Sequence, residues 1–348
     1  MRRRALVALL TTTVLLLPSA ALADGEVFRF RDPDILESSA LIDFGDLMVT
    51  VNDSGSFPDV YVINPSTGRT VGSTLLDVAP VDIEALAPVP SRGGQPQVWV
   101  GDIGDNARQR RFVKVYLAPI AQLRLDIRPK RYNLVYPDGP HDAESMFTDA
   151  SGRLYLITKG FTGGGVYRVP ARMYEGVGNR LERVGSVRDY ATDAAMLNDG
   201  AHVLVRSYGI AAVYTFPGFQ RLGSFRLPPQ RQGEGVSVGP DGRIRLSSEG
   251  ARTPVLEVSL PADLQAAIAG ESPTPSATPT ASTSPAPSAS PTATPSASPA
   301  PAPTEASGPL REDAGRTTTG GVALGWAAGL VILAGAVVIG VGLRRRRT

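Results

Sequence analysis

The chain has 348 residues, with 35 lysines and arginines against 33 aspartates and glutamates, two histidines and no cysteine. The lack of cysteine excludes disulfides, thiolate metal sites and thiol nucleophiles, so an exported domain of this sequence must be held together by its core. The formal net charge of +2 owes its sign to arginines at the two ends; the middle of the chain is slightly acidic, which excludes a broad nucleic-acid footprint.

Arg2, Arg3 and Arg4 precede an apolar run from Ala5 to Leu17, and Ala21-Leu22-Ala23 forms a small-x-small site. A positive start, a short apolar stretch and such a site are the parts of a secretory signal peptide, read here over 1–23. Residues 24–270 follow as the external domain, a length that suits one large all-β domain or two ordinary ones.

Within 24–270 one unit recurs: an acid, small or apolar residues, a glycine-containing turn, then an alternating apolar strand ending in a polar or charged residue. It reads "ESSALIDFGDLMVTVND" (37–53), "EALAPVPSRGGQPQVWVGD" (84–102), "ESMFTDASGRLYLITK" (144–159), "DAAMLNDGAHVLVR" (193–206) and "EGVSVGPDGRIRLSSE" (234–249). Each unit continues into a further β-like segment, such as "PDVYVINP" or "TPVLEVSLP". Spacings of about 40–60 residues with several short strands per repeat fit a β-propeller better than a sandwich. Five blades are expected, or six if the long second unit hides an extra one. The last unit lacks an outer strand, and "EVFRFRD" (26–32) is expected to supply it and close the ring.

Residues 271–316 form a Pro/Ser/Thr/Ala tract that cannot bury a core. It is expected to be a semi-stiff stalk with a reach of about 100 Å. Gly320 to Leu343 carries no charge and Arg344 to Arg347 follow. A helix of that length covers roughly 36 Å, enough to span a bilayer, and the arginines place residues 344–348 in the cytoplasm. The chain is thus expected to be a single-pass plasma-membrane protein whose N-terminal domain is extracellular and which meets the membrane through its C-terminal helix. Gly321, Gly325 and Gly329 share one face of that helix, a stripe that would support a weak homodimer. No Leu-Pro-x-Thr-Gly sorting signal precedes the span.

A hairpin returns the chain to the edge where it began. The acids Glu37, Glu84, Glu144, Asp193 and Glu234 should therefore share a face with Asp53, Asp102, Lys159, Arg206 and Glu249, forming a charged ring about the central opening. Calcium takes six to eight oxygen ligands, and converging acids supply them. The candidates are Asp82, Glu84, Asp102, Asp105, Asp142, Glu144 and Glu234; alternatively, these acids are ion-pair partners of Lys159, Arg206, Arg245 and Arg252 with no metal.

The motifs "VNDSG", "VDIEALA", "VWVGDIGDNARQR", "GPHDAESMFTD", "YLITKG", "QGEGVSV" and "RLSSEG" occur in this order along roughly 30–260. In these the chain resembles the exported, largely actinobacterial propeller proteins described as esterase-like or phytase-like. Three lysines against 32 arginines fit the high-GC genomes of that group. The resemblance implies a propeller fold, and it matches "DIEAL" to the acid-rich metal-binding stretches of phytase-like propellers, with Ala85 where a glycine is usual. It does not carry a substrate across.

Phosphate-ester hydrolysis would need cations around the phosphate and a metal-activated water. His141, Lys159 and Arg206 are the residues to supply the anion side; alternatively His141 closes a turn beside a carboxylate. Gly235-Val236-Ser237-Val238-Gly239 matches the nucleophile-elbow pattern but sits inside a strand, not on the strand–turn–helix that the motif requires. "GFTGGG" (160–165) lacks the lysine and helix of a phosphate loop. The rival reading is a non-catalytic surface module that binds or senses an envelope polymer, a sugar, a small ester or a protein partner at the propeller rim.

Overall fold

Among the described residues, short apolar runs punctuated by Gly, Asp and Pro become 22 strands and one short helix, α1 (Ala262–Ile268). The structure is a computed structural model and describes residues 23–53, 57–90 and 93–270. The expected signal peptide apart from Ala23, the expected stalk, the expected spanning helix with its glycine stripe, and the basic tail lie outside the described residues. Among the described residues no helix is long and apolar enough to cross a membrane.

The strands form five sheets, the five blades of a propeller. After β1 (Ala23–Arg29), the first blade is a meander of β2 (Ser38–Asp43), β3 (Met48–Asn52), β4 (Asp59–Asn64) and β5 (Arg69–Leu76). The second contains β6 (Ile83–Val89), β7 (Gln97–Asp102), β8 (Val113–Pro119) and, after β9 (Arg124–Ile127), β10 (Lys130–Val135). The third has β11 (Ala143–Thr148), β12 (Leu154–Thr158), β13 (Gly164–Arg168) and, after β14 (Gly178–Arg180), β15 (Glu182–Val187). The fourth is β16 (Asp193–Met196), β17 (His202–Arg206), β18 (Ile210–Thr215) and β19 (Arg221–Arg226). The fifth takes β20 (Gly233–Val238), β21 (Ile244–Ser248) and β22 (Pro254–Val258) from the end of the domain and β1 from its beginning.

The expected closing strand is therefore present: β1 lies antiparallel to β22, with Arg29 opposite Pro254. The long second unit hides no sixth blade. Its extra length becomes β9, which adds in parallel to the outer edge of the first blade, while β14 adds in parallel to β10 of the second. Both additions cover strand edges that would otherwise be free to pair with another chain.

The innermost strands β2, β6, β11, β16 and β20 touch in succession around the axis, and β20 meets β2 again. There is no common central core. Five apolar clusters lie one between each pair of adjacent blades, so both faces of the inner strands are covered. Every residue of β2, β3, β11 and β12 is buried, whereas β9 and β14 at the outer edges are largely exposed. The cluster between the fifth and first blades includes Phe28, Phe30, Ile35, Leu41, Tyr61 and Val255. Phe28 and Phe30 meet edge to face at 5.5 Å, a geometry aromatic pairs favour. The turn at Gly68 runs so close to β1 that a Cβ there would lie 2.1 Å from the carbonyl oxygen of Arg29, at a φ of +67°.

Phe30 is fully buried at the closing interface and Phe161 is 95% exposed. Phe30→Ala is expected to lower the unfolding free energy by about 3–5 kcal/mol while Phe161→Ala leaves it unchanged, as read from guanidinium denaturation curves. Equal stability of the two variants would refute closure through this interface.

Candidate metal centre

One irregularity recurs at the start of the inner strands. In β2, β6, β11 and β20 the pairing with the second strand skips by one residue near its first position. Ser39, Glu84, Glu144 and Glu234 fall within the skipped positions. A bulge of this kind re-aims a side chain out of the ladder, and here it delivers three acids toward the opening. β16 has no such skip: Asp193 pairs regularly with Arg206 and Ala194 with Val205.

The second strands contribute by register. Asn52, Asp102, Thr158, Arg206 and Ser248 all stand opposite the first paired residue of their inner strand. Asp53, Lys159 and Glu249 come one position later. Successive side chains of a strand point to opposite sides, so this single step separates two sets of charges.

Asp102 belongs to the earlier set and is fully buried. Its carboxylate accepts from Arg110 at 2.7 Å, Lys114 at 3.0 Å and the Tyr116 hydroxyl at 3.2 Å, and also from the backbone N–H groups of Val81 and Asp82. It is a tether for the segment that carries Asp82. Arg206 is also fully buried. It donates to the carbonyls of Gly235 and Ser247 and to Gln230 Oε1, which ties the fourth blade to the fifth. Burial pulls its pKa down to about 10, against the pull of Asp193 and Glu234. Asp193 accepts from Val236 N–H at 2.7 Å, and burial pushes its carboxyl well above the ordinary range.

The later set opens on the mouth. Carboxylate oxygens of Asp53, Asp82 and Glu84 all lie within 4.8 Å of one another. Gly104 makes room for them: a Cβ at that position would sit 2.3 Å from Asp82 Oδ2 and 2.7 Å from Glu84 Oε1. Burial pushes Glu84 well above the usual carboxylate range, and the charges of Asp53, Asp82 and Glu234 add to the effect while Lys159 opposes it. Glu234 is pushed up to about 8, first by burial and then by Glu249 and Asp53. Glu249, hydrogen-bonded to Glu234 and to Gln232, is raised by burial, Asp53 and Glu37.

Glu144 is ion-paired with Lys159, whose Nζ also lies 5.1 Å from the Tyr190 ring centre and 5.9 Å from that of Tyr208. Asp105 and Asp142 join the loops of the second and third blades. Asp142 Oδ1 accepts from Asp105 N–H at 2.8 Å, and the Asp105 carboxylate accepts from the N–H groups of Gln109 and Arg110.

Of the expected metal ligands, the structure thus brings Asp82 and Glu84 together. It sets Glu234 and Glu144 at the same mouth, and gives Asp102, Asp105 and Asp142 to backbone and cation partners. Asp53 completes the triad. Its place on this face follows from the repeat, but "VNDSG" reads as turn chemistry and carries no sign of a ligand.

His141, Lys159 and Arg206 are not brought to a common point. His141 Nε2 lies 3.0 Å from both Asp138 Oδ1 and the Tyr167 hydroxyl, with Tyr136 packed edge-on. Lys159 is engaged by Glu144 and Arg206 by carbonyls. Ser237 lies within β20, where its hydroxyl accepts from Asp43 N–H at 2.8 Å. His202, in β17, pairs with Asp199 at 2.7 Å.

Chemically, the mouth offers oxygen donors from side chains, with both histidines paired to aspartates elsewhere and no cysteine in the chain. Such a set suits a hard divalent cation.

No protein-family model matches this chain, nor does any curated protein. Among solved structures, the glutaminyl cyclase of Myxococcus xanthus is similar at 13% identity and a TM-score of 0.44, over 70% of this chain and 100% of that one. The soluble aldose sugar dehydrogenase of Escherichia coli is similar at 12% identity and 0.42, over 67% and 98%. Regucalcin, a calcium-binding protein of Agrobacterium tumefaciens, is similar at 14% and 0.40, over 70% and 91%. These are loose likenesses of fold, and none brings its activity to this chain. What stands on the structure itself is a five-bladed propeller with an acidic group at its mouth able to hold a metal ion.

Proposed function

We propose that this chain is an exported, membrane-anchored propeller that holds calcium at its channel mouth and uses the loaded mouth to capture a ligand at the cell surface. The observation that carries the metal is the Asp53, Asp82 and Glu84 group, whose oxygens converge within 4.8 Å beside a glycine that leaves the space open. Calcium is the fitting ion because the donors are oxygens and the neighbouring acids add negative charge. The extracellular placement rests on the arginine-led leader and on the uncharged stretch 320–343 with its arginine flank.

Capture is favoured over hydrolysis of a phosphate or other ester. The three residues best able to grip an anion, His141, Lys159 and Arg206, are each committed to different partners. When bound, calcium would supply a positive centre and open coordination positions. Asp53, Asp82 and Glu84 would hold it, and Asp102 would keep the Asp82 backbone in place through its contact at 3.0 Å.

Calorimetric titration of the purified full chain with calcium should give binding in the range of about 0.1–1 mM typical of extracellular modules, or tighter. Glu84→Gln should weaken it ten-fold or more. Gly104→Ala should do the same without removing a carboxylate, because the added methyl would stand against Asp82 and Glu84. Calcium binding that is absent in the parent protein, or untouched in both variants, would remove the metal centre.

A second expectation concerns pH. The folded-state pKa of Glu234 is raised from 4.5 to about 8. The folded state therefore binds the proton more tightly than the unfolded one, and the associated stability is fully present below 4.5 and lost as pH rises through about 8. In chelator, the melting temperature should fall across this window. Saturating calcium or Glu234→Gln should flatten the fall, and a flat profile in the parent protein under chelator would contradict the assignment.

A further inference from the structure

The face that carries the acidic mouth also gathers exposed apolar side chains. Leu36, Phe57, Val81, Phe112, Phe161 and Tyr208 all lie in segments that lead into an inner strand or join the second strand of a blade to its third. Those segments open on the mouth face. Phe161 is 95% exposed and Phe57 80%. Single apolar residues scattered over a surface are ordinary, but a set collected on one face around a polar centre marks a place of recognition.

Three of the rings form a continuous step. Phe161 and Tyr190 are 5.5 Å apart between ring centres and tilted by 33°; Tyr190 and Tyr208 are 5.9 Å apart and tilted by 36°. Lys159 links this step to the acids, since its Nζ pairs with Glu144 while lying near the rings of Tyr190 and Tyr208. Rings and carboxylates are therefore parts of one site.

The charges decide what can lie on the rings. Lys159 is spent on Glu144 and Arg206 is fully buried, so an anionic polymer finds little counter-charge there. The divalent cation would offset two of the three charges of Asp53, Asp82 and Glu84, and Glu144 is already paired with Lys159, so the carboxylates serve a bound ligand chiefly as hydrogen-bond acceptors. What remains is a set of ring faces bordered by hydrogen-bond acceptors and tyrosine hydroxyls. A pyranose is the complement of that surface: a face of C–H groups to lie on the rings and hydroxyls to donate to carboxylates. Tyrosine serves such a ligand with an apolar body and a polar tip.

The geometry points to Phe161, Tyr190 and Tyr208 as a platform that seats a neutral oligosaccharide beside the acidic mouth. The inference rests on the preceding proposal for the neutralisation of the mouth by a cation.

Saturation-transfer NMR tests it, with the purified full chain and maltohexaose, cellohexaose and chitohexaose as probes, in excess calcium and again in EGTA. At least one hexasaccharide is expected to receive saturation in calcium. Phe161→Ala and Tyr208→Ala should each weaken its binding ten-fold or more and leave the calcium titration unchanged. Absence of transfer to all three sugars overturns the platform, as does binding that survives both substitutions. Calcium binding without sugar transfer removes the platform and keeps the metal centre; sugar transfer lost in the ring variants but without calcium binding keeps the platform and removes the metal centre.

Discussion

Burial between blades is the constraint on which this protein depends. A blade here has no core of its own: its apolar residues are divided between its two faces, and each half is covered only by a neighbouring blade. The five interfaces are thus one system, and the ring is complete only when β1 has docked on β22. Without cysteine there is no covalent substitute for that closure. The additions of β9 and β14 at the periphery cap edges but leave this dependence unchanged.

The same ring brings like charges together. Strand starts from several blades meet at the mouth, and bulges at matching positions turn Glu84, Glu144 and Glu234 toward it. One lysine accompanies them there, and it is paired with Glu144. Burial and mutual repulsion raise Glu84, Glu234 and Glu249, an arrangement that costs stability unless protons or a cation offset it. Sequences place such local conflicts at functional sites more often than elsewhere. Asp102, buried away from the mouth, is the opposite case: it is saturated with donors and serves to position the chain.

Much of the fold was legible because each blade repeats a unit with its own turn residues, and because the fifth unit visibly lacked the strand that 26–32 supplies. The extra length of the second unit was not assignable. The parallel partners of β9 and β14 both lie in the preceding blade, and nothing local in "RLDI" or "GNR" names them. At the mouth, the repeat placed the acids on one face but could not resolve a single step of register. That step separates Asp102 and Arg206, which enter the blade interfaces, from Asp53, Lys159 and Glu249. The bulges were illegible for a related reason: an extra residue in a ladder shows only when both strands are seen paired. Gly104 reads in sequence as one more loop glycine, and only the approach of Asp82 and Glu84 gives it a purpose.

The closing strand also sets an order of events. Arg29 reaches across to the Arg252 carbonyl, a contact 223 residues apart in the chain. As synthesis proceeds from the N-terminus, the segment made first must wait unpaired while four blades assemble, and its edge finds a partner only when β22 has been delivered. Closing so long a loop is slow compared with forming the local hairpins within each blade. An incomplete ring presents the exposed edge of β22 and the uncovered face of Phe28 and Phe30 at once, so premature contact between two nascent chains would exchange the first strand of one for that of the other. Folding of this protein is therefore a race between intramolecular closure and strand exchange, and the short turn packed at Gly68 against Arg29 favours the former by giving the arriving strand a fitted seat.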